Sequence, residues 1–395
     1  MDELTSFGLD VLVVSAALAA GLLASKLSAR TSIPSAALFL VAAAIASDIW
    51  PSLAPSIHTV EEIGTVALIV ILFHGGASIG WRRFRVAAAP IALLGILGTF
   101  ATAALVAGFA HLVFGFSWTF AGLLGAAIAP TDPAVMFSVL GEQEIHGRTG
   151  TILEGESGAN DPVGIALMIG LLELATHHGS FWVVIRIFVE QMSIGLAIGV
   201  AGGMAERFLS QRLSLPSTGL HTVRTLAVAG LIYGVASVAH GSGFLAVFIA
   251  GLLVGDVRSP FRHEESVFLE GLSALAEIVV FVALGLTIGV SQVDGSRWVE
   301  GIASVAFLAL VARPLVVAAV LAPVDLRRGE RLFVMWGGLK GAVPILLAAF
   351  AVGEHAAGAD HLYDIVFVVV LLSVVVQGGT IAPAARLFGV HMTRR

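Results

Sequence analysis

An acid-rich run inside an apolar part of the chain carries the residues most suited to chemistry. The run Glu154–Pro162 contains Glu156 and Asn160 four residues apart, and Ser157 and Asp161 at the same spacing. Residues four apart are neighbours on a helix, so this spacing places the four side chains in two adjacent rows on one side. Carboxylate, hydroxyl and amide groups arranged in this way can bind a cation or exchange a proton.

A second polar group lies in the preceding apolar segment, where Thr131 and Asp132 stand between two prolines. Both groups offer oxygen ligands, which suit a hard cation such as Na⁺ or K⁺ better than a transition metal. The sequence therefore predicts a cation and proton site formed by Asp161, Asn160, Ser157, Thr131 and Asp132. The predicted metal ligands within it are Asp161, Thr131 and Ser157.

If these acids lie deep in a membrane, keeping them charged costs free energy. Asp161 lies about 11 residues into its segment, or ~16 Å along a helix axis, and an ionisable group there costs about 2.5–3.5 kcal/mol. Arg313, in the apolar run Leu308–Val320, needs a carboxylate partner, and Glu156 is the predicted one. Asp161 is then left without a permanent counter-ion, so we expect it to hold either a proton or a cation.

Three further polar residues lie inside apolar segments. Lys340 stands in a glycine-rich interruption, and we expect it either to neutralise the ends of a broken helix and Asp132 or to act directly on the ion. Glu277 and His74 are expected to make helix–helix contacts, as single polar residues in membrane helices commonly do.

Composition indicates what must position these residues. Of the 395 residues, 57% are hydrophobic and 12% are charged, against roughly 25% charged in soluble domains. Charged residues are too few to cover a soluble enzyme of this size, and the net charge of −6 with no basic stripe argues against a nucleic-acid partner. The chain has no cysteine, which excludes disulfides and thiolate metal sites.

A membrane helix needs ~20 mostly apolar residues, and the sequence offers thirteen such segments. They cover roughly 9–28, 33–50, 60–80, 86–112, 117–141, 150–175, 181–206, 217–239, 241–255, 268–290, 299–322, 331–352 and 363–388. We therefore expect an all-α polytopic membrane protein with about thirteen transmembrane helices. Residues 1–395 would form a single membrane transporter domain with no soluble domain, embedded in the lipid bilayer.

The distribution of basic residues predicts the orientation of the chain in a plasma membrane. Of the 21 Lys and Arg residues, all except Arg186, Arg297, Arg313 and Lys340 fall in alternate connecting segments, near the segment ends that adjoin those connections, or at the C-terminus. Short loops rich in Lys and Arg stay in the cytoplasm. The N-terminus is therefore expected outside and the C-terminus in the cytoplasm.

Two interrupted segments suggest an inverted repeat. The thirteen segments divide into six, a linker and six, so that the fifth corresponds to the twelfth and runs the opposite way. The fifth contains Ala129–Pro133 and the twelfth contains Gly337–Pro344, both rich in turn-forming residues. Paired interruptions at matching positions of two halves point to a transporter's midplane binding site. The expected fold thus has inverted six-helix repeats with broken helices in spans 5 and 12.

The motifs together resemble the monovalent cation:proton antiporter family, and specifically its NhaP-like sodium(potassium)/proton exchangers. The matching stretches are Pro130–Pro133, Leu153–Pro162, Ala312–Leu315 and Gly338–Pro344, in this order and spacing. The resemblance covers nearly the whole chain, from Ile33 to about Gln377.

This resemblance implies an architecture and a mechanism. It implies a thirteen-helix protomer, usually a homodimer, that works by elevator-like alternating access. Its core would include residues 86–175 and 299–388, and the remainder would form a dimerisation scaffold. No cofactor is implied beyond the transported Na⁺ or K⁺ and H⁺, and no enzymatic activity.

The resemblance also carries roles to individual residues. Asp161 matches the acid that exchanges a cation for a proton, and its neighbour Asn160 implies electroneutral one-for-one exchange. Glu156 and Arg313 match a structural ion pair. Thr131, Asp132 and Ser157 match residues around the ion. Lys340 departs from the family, which usually has arginine there, and an ammonium group lacks the planar, bidentate geometry of a guanidinium.

Two other functions compete with this interpretation. A sodium-coupled symporter of an organic anion can use a similar inverted repeat, but it would need fewer buried acids. An intramembrane serine protease is suggested by the run Gly155–Gly158, but no histidine lies at mid-depth in any segment to act as its base. The absence of a P-loop argues against an ATP-driven pump.

Overall fold

The structure is a computed structural model, and it is helical with one short β-ribbon. It describes residues 3–28, 34–132, 143–145, 148–177, 181–213, 215–257, 259, 261–390 and 392–394. The predicted helical class is correct apart from the ribbon, in which β1 (Gln143–Ile145) pairs antiparallel with β2 (Met392–Arg394). Its pairing supplies hydrogen-bond partners for backbone polar groups that lie outside the helices.

The helices follow one another with short connections. The first half contains α1 Glu3–Ser28, α2 Ser35–Ile49, α3 Ile57–Val86, α4 Ala88–Ala92, α5 Thr99–Phe114, α6 Trp118–Ile128 and α7 Arg148–His177. The second half contains α8 Phe181–Arg212, α9 Thr218–Val238, α10 Gly243–Gly255, α11 Arg262–Leu286, α12 Gly295–Phe307, α13 Arg313–Val320, α14 Arg328–Trp336, α15 Ala342–Gly353, α16 Ala359–Leu372 and α17 Gly379–Leu387. Two 3₁₀ turns cover Pro51–Leu53 and Val290–Gln292.

Every predicted segment overlaps at least one helix. In the described part of the chain, eight helices are long and apolar enough to cross a membrane, namely Ile57–Val86, Ala88–Phe114, Arg148–Thr176, Phe181–Arg212, Thr218–Val238, Arg262–Gln292, Gly295–Val320 and Ala359–Leu387. Four shorter apolar helices are α2, α6, α10 and α15. The chain is therefore a multi-pass membrane protein, while the count of thirteen crossings stays a prediction.

Local sequence signals account for several helix ends. Ser56, Ser117 and Ser242 each precede a helix, and each hydroxyl accepts a hydrogen bond from the backbone N–H three residues on, at 3.1, 3.2 and 3.2 Å. Such caps satisfy one of the free donors at a helix N-terminus. Gly115 ends α5 in the left-handed conformation with φ of 71°, which glycine adopts without steric cost.

Three long helices contain a π-helical turn. The turns are Leu93–Gly98 between α4 and α5, Leu308–Ala312 between α12 and α13, and Ser373–Gly378 between α16 and α17. Thr99 Oγ1 donates to the Gly95 carbonyl at 2.7 Å and so supplies a donor where the α-helical ladder is disturbed. π-Turns inside α-helices often occur at functional sites.

The predicted interruption in residues 331–352 falls between two helices. α14 ends at Trp336 and α15 begins at Ala342, with Gly337–Gly341 non-helical between them. Pro344 lies in the first turn of α15, where its missing N–H costs nothing, so the glycines form the interruption rather than the proline. The corresponding segment 117–141 is described only to Asp132, and Pro133 lies outside the described residues.

Close helix crossings hold together the part of the bundle that the prediction assigns to the scaffold. α10 packs against α3 and α8. A Cβ added at Gly251 of α10 would lie 2.3 Å from the Phe73 carbonyl oxygen of α3, so only glycine fits this crossing. Small residues at such contacts let membrane helices approach closely enough to gain dispersion energy.

A buried ionic network ties α8, α9 and α11 together. The Arg224 guanidinium donates to Glu206 Oε1 at 3.1 Å and to Glu265 Oε1 at 2.8 Å. Ser210 Oγ donates to the same Glu206 oxygen at 3.1 Å. All four residues are buried, and the several hydrogen bonds offset the cost of removing these charges from water.

The predicted orientation can be tested by labelling single cysteines, because the natural chain has none. Ser296 and Gln211 are both exposed, and the predicted topology places them on opposite sides of the membrane. Ser296→Cys should react with a membrane-impermeant maleimide added to intact cells, and Gln211→Cys should react only after the membrane is opened. The reverse pattern would overturn the orientation.

Candidate functional site

The polar residues chosen from the sequence converge on the middle of α7. They come from the end of α6, from α7, from the start of α13 and from the non-helical segment Gly337–Gly341. The buried members are Thr131, Glu156, Ser157, Asn160, Asp161, Arg313 and Lys340. Asp132 is half-buried. Seven buried polar side chains in one place within an apolar bundle require either internal pairing or a ligand.

Two extended backbone segments meet at this point. The backbone N–H of Asp132 donates to the Leu339 carbonyl at 2.8 Å. A Cβ added at Gly341 would lie 1.7 Å from Asp132 Oδ2, so the glycine lets the carboxylate lie against the backbone. Irregular backbone at membrane depth survives only where it is buried in protein or lines a cavity, and here a backbone hydrogen bond joins the two irregular segments.

Thr131, Ser157 and Asn160 form a hydrogen-bonded group. Asn160 Nδ2 donates to Thr131 Oγ1 at 2.8 Å, and the Thr131 N–H donates to Asn160 Oδ1 at 3.3 Å. The Thr131 and Ser157 hydroxyl oxygens lie 2.9 Å apart. The amide thus fixes the end of α6 against α7 and leaves hydroxyl oxygens beside Asp161. Among the described residues, the Ser157 hydroxyl bonds to Thr131 and not to the histidine that a serine protease would need.

The Asp161 carboxyl is buried and incompletely paired. The residue is 6% exposed. Its Oδ1 is fully buried and accepts no hydrogen bond from any residue of the described chain. The charged groups that act on it are Asp132 and Lys340. A buried carboxylate oxygen without a donor is unstable, so this atom is suited to receiving a proton or a cation.

Glu156 and Arg313 form an ion pair between α7 and α13. The guanidinium bonds both carboxylate oxygens, with Nη1 donating to Oε1 and Nη2 to Oε2, the latter at 2.9 Å. Nη2 also donates to the Val334 carbonyl at 3.2 Å. A Cβ added at Gly338 would lie 2.6 Å from Arg313 Nε. The glycine therefore lets the guanidinium lie flat against the interrupted segment.

Lys340 is held by backbone oxygens at the end of α6. Its Nζ donates to the carbonyls of Ala129 and Pro130 at 2.7 and 2.8 Å. The last carbonyls of a helix lack intrahelical partners and carry partial negative charge, so a cation is favourable there. This contact corresponds to the first of the two expected roles, neutralisation of a helix end.

Ser373 and Gln377 also belong to the site, although no motif in the sequence singles them out. The Lys340 N–H donates to Ser373 Oγ at 2.9 Å, and Ser373 Oγ donates to Gln377 Oε1 at 2.7 Å. Both residues lie in the π-turn Ser373–Gly378. The available signal is two polar residues four apart in the otherwise apolar run Ile365–Gly379.

Comparison with known proteins identifies the family. The profile of the family described as "Sodium/hydrogen exchanger, transmembrane" matches residues 13–387. The chain belongs to this family. Sodium/hydrogen exchangers are transporters and not catalytic enzymes, and monovalent cation/proton antiport is the activity that membership supports.

Characterised relatives cover most of the chain. It is 35% identical over 389 residues to the K(+)/H(+) antiporter NhaP of Alkalimonas amylolytica, covering 96% of this chain and 67% of the relative. It is 33% identical to the K(+)/H(+) antiporter NhaP2 of Shewanella sp. strain MR-4, covering 99% and 68%. It is 28% identical to the Na(+)/H(+) antiporter ApNhaP of Aphanothece halophytica, covering 83% and 65%.

A solved exchanger has the same fold. The structure of the sodium proton antiporter MjNhaP1 from Methanocaldococcus jannaschii superposes with a TM-score of 0.80. The superposition covers 97% of this chain and 99% of that one, at 23% sequence identity. This structural similarity shows that the chain has the same fold as MjNhaP1.

Breaking the Glu156–Arg313 pair should destabilise the exchanger. Glu156→Gln leaves a buried guanidinium without its counter-ion, which costs about 3–5 kcal/mol in folded proteins. We expect a clear fall in the thermal unfolding midpoint of the purified protein. Replacing both partners together, Glu156→Gln with Arg313→Met, should recover part of the lost stability, because no unpaired charge then remains.

Glu264→Gln is a suitable control because Glu264 is exposed at the start of α11. Its unfolding midpoint should stay close to that of the wild type. An unfolding midpoint for Glu156→Gln equal to that of this control would contradict a structural role for the pair.

Proposed function

We propose that the chain exchanges Na⁺ or K⁺ for H⁺, with Asp161 as the shared binding site for the cation and the proton. The observation that carries this proposal is the buried Asp161 carboxyl, whose Oδ1 accepts no hydrogen bond from the described residues. Ser157 and Thr131 supply neighbouring hydroxyl oxygens, which complete a set of hard ligands for an alkali cation.

The exchange follows from competition at this carboxyl. A proton on Asp161 removes the negative charge that attracts the cation, and a bound cation removes the proton. The two ligands therefore cannot occupy the site together. Since the empty, charged site is the least stable form at this depth, the loaded forms are the ones that cross between the two sides of the membrane.

The coupling is one cation for one proton. Asn160, the neighbour of Asp161, is neutral and hydrogen-bonded to Thr131. Glu156 and Arg313 compensate each other, and Lys340 is held by helix-end carbonyls. The titrating charge is thus that of one carboxyl, and the site carries the same net charge with a cation as with a proton.

Alternating access moves this site as part of a core. Residues 86–175 and 299–388 form the core, and the remainder of the chain forms the scaffold. The fold has thirteen crossings in inverted six-helix repeats, with spans 5 and 12 broken. An odd number of crossings puts the termini on opposite sides, and the positive-inside rule indicates that the N-terminus is outside and the C-terminus in the cytoplasm. The repeat is supported by the π-turns Leu93–Gly98 and Leu308–Ala312, which fall in spans 4 and 11 and thus at matching positions.

The scaffold forms a homodimer in the plasma membrane. Its helix α8 buries little of its length within one chain and exposes large apolar side chains such as Trp182, Met204 and Phe208. A second copy of the chain would cover part of this surface, and lipid the rest.

The Asp161→Asn variant should abolish exchange, because an amide neither titrates nor balances the charge of a cation. In proteoliposomes with an internal pH dye, NaCl or KCl should dissipate a pH gradient through the wild type without any organic substrate. Asp161→Asn should give the signal of protein-free liposomes. Asp325→Asn, which changes an exposed loop acid, should behave as the wild type. Near-normal flux in Asp161→Asn would refute the assignment.

Electroneutral exchange should not respond to membrane voltage. A cycle that moved one net charge would gain about 2.3 kcal/mol from ~100 mV, which corresponds to roughly a fifty-fold change in the equilibrium cation gradient. We expect the gradient reached at a fixed pH difference to be the same at 0 mV and at about −100 mV. A voltage-dependent end point would contradict one-for-one coupling.

A further inference from the structure

Glu277 has a carboxyl group that the mechanism above does not use. It lies in α11 within the apolar run Ala274–Gly285. Its Oε1 is fully buried and accepts no hydrogen bond from any residue in the described part of the chain. This oxygen therefore makes no hydrogen-bonded contact with a neighbouring helix in the described part of the chain. Such an atom is costly unless something outside the chain satisfies it.

The charge that acts on Glu277 is the carboxylate of Asp132. Asp132 in turn acts on Asp161. The three acids thus form a row from α11, through the end of α6, to the middle of α7. Two of them, Asp161 and Glu277, each have a buried oxygen without a donor among the described residues. Carboxylates placed near one another repel, and a cation held among them relieves that repulsion.

The three acids differ in solvent exposure, so the row leads from more exposed members to a buried one. Asp161 is buried, whereas Asp132 and Glu277 are half-buried. Asp132 and Glu277 are therefore the members of the row through which an approach from the surface to Asp161 would lead. Negative groups lining such an approach raise the local concentration of cations.

The row also joins the two parts of the molecule. Glu277 lies on α11, which belongs to the proposed scaffold, and Asp132 and Asp161 belong to the proposed core. α11 packs against α15 of the core in this structure. Movement of the core relative to the scaffold would separate Glu277 from the other two acids. Glu277 would therefore act on the cation only in the conformation described here.

We propose that Glu277 is an additional cation-binding residue, which holds an alkali cation at the entrance to the Asp161 site and transfers it to Asp161. This inference rests on the proposed function, since it assumes that Asp161 binds the transported cation. Glu277 is not needed for the exchange itself, because the proton and the cation compete at Asp161. Its removal should therefore weaken the apparent affinity for the cation and spare the maximal rate.

The test is the cation dependence of exchange in proteoliposomes, with Na⁺ and K⁺ measured separately. Glu277→Gln keeps the shape of the side chain and removes its charge. We expect its KM for the cation to rise about tenfold, the effect of losing one favourable charge contact, with kcat close to that of the wild type. Glu277→Asp keeps the charge and should restore most of the affinity.

Glu270→Gln is the matched control, because Glu270 lies seven residues earlier, on nearly the same face of α11, and is exposed. It should keep the wild-type KM. A wild-type KM in Glu277→Gln, or a lower kcat with unchanged KM, would overturn the role of Glu277. If Glu277→Gln does not fold, as judged by its thermal unfolding midpoint, Glu277→Ala takes its place, because it removes the carboxyl without burying an amide. A raised KM for the cation in that variant supports the role, and a wild-type KM refutes it.

The two proposals fail in different ways. Absence of any cation-evoked proton flux in the wild type, or near-normal flux in Asp161→Asn, would refute the proposed function. Intact wild-type exchange with an unchanged KM in Glu277→Gln would refute only the entrance site.

Discussion

The cost of keeping a carboxyl away from water determines how this site is organised. Each buried charge near the middle of α7 has an internal partner except one. Arg313 bonds both oxygens of Glu156, and Lys340 bonds two helix-end carbonyls. Asp161 alone in this group has a buried oxygen with no donor among the described residues. Because the other charges are compensated, the occupancy of this one carboxyl can change without unbalancing its surroundings.

The interrupted backbone makes that arrangement possible. A regular helix would satisfy its own carbonyls and offer none to Lys340. The end of α6 and the segment Gly337–Gly341 instead exchange a hydrogen bond between Asp132 and Leu339. Glycines at 338 and 341 leave room for a guanidinium and a carboxylate to lie directly on the backbone. The interruption therefore positions charges at a depth where neither lipid nor water could stabilise them.

Much of this site follows from the sequence, since spacing and depth are properties of a single helix. The four-residue intervals in α7 predicted which side chains share a face, and the isolated Arg313 required an acid near it. The helical class followed from the apolar segments. Contacts between distant segments did not follow in the same way. Ser373 and Gln377 meet Lys340 through a π-turn that no residue pattern announces. Glu277 looked like an ordinary interhelical contact, because its distance from Asp132 depends on how α11 packs.

The β-ribbon and the position of Pro344 also show that sequence patterns do not predict contacts between distant segments. The ribbon pairs residues about 250 positions apart in the chain, which local propensity cannot anticipate. The predicted interruption Gly337–Pro344 includes Pro344, which lies instead in the first turn of α15, where proline is tolerated. Local rules predict that a break occurs near such residues, and tertiary packing decides which residue forms it.

The central claim is that one carboxyl is occupied by a proton or by a cation and never by both. The most direct measurement is proton release on cation binding to the purified protein in weakly buffered solution, without any membrane gradient. The account predicts about one proton released for each Na⁺ or K⁺ bound, with cation affinity falling as the solution is made more acidic. Cation binding without proton release, at an affinity independent of pH, would contradict it.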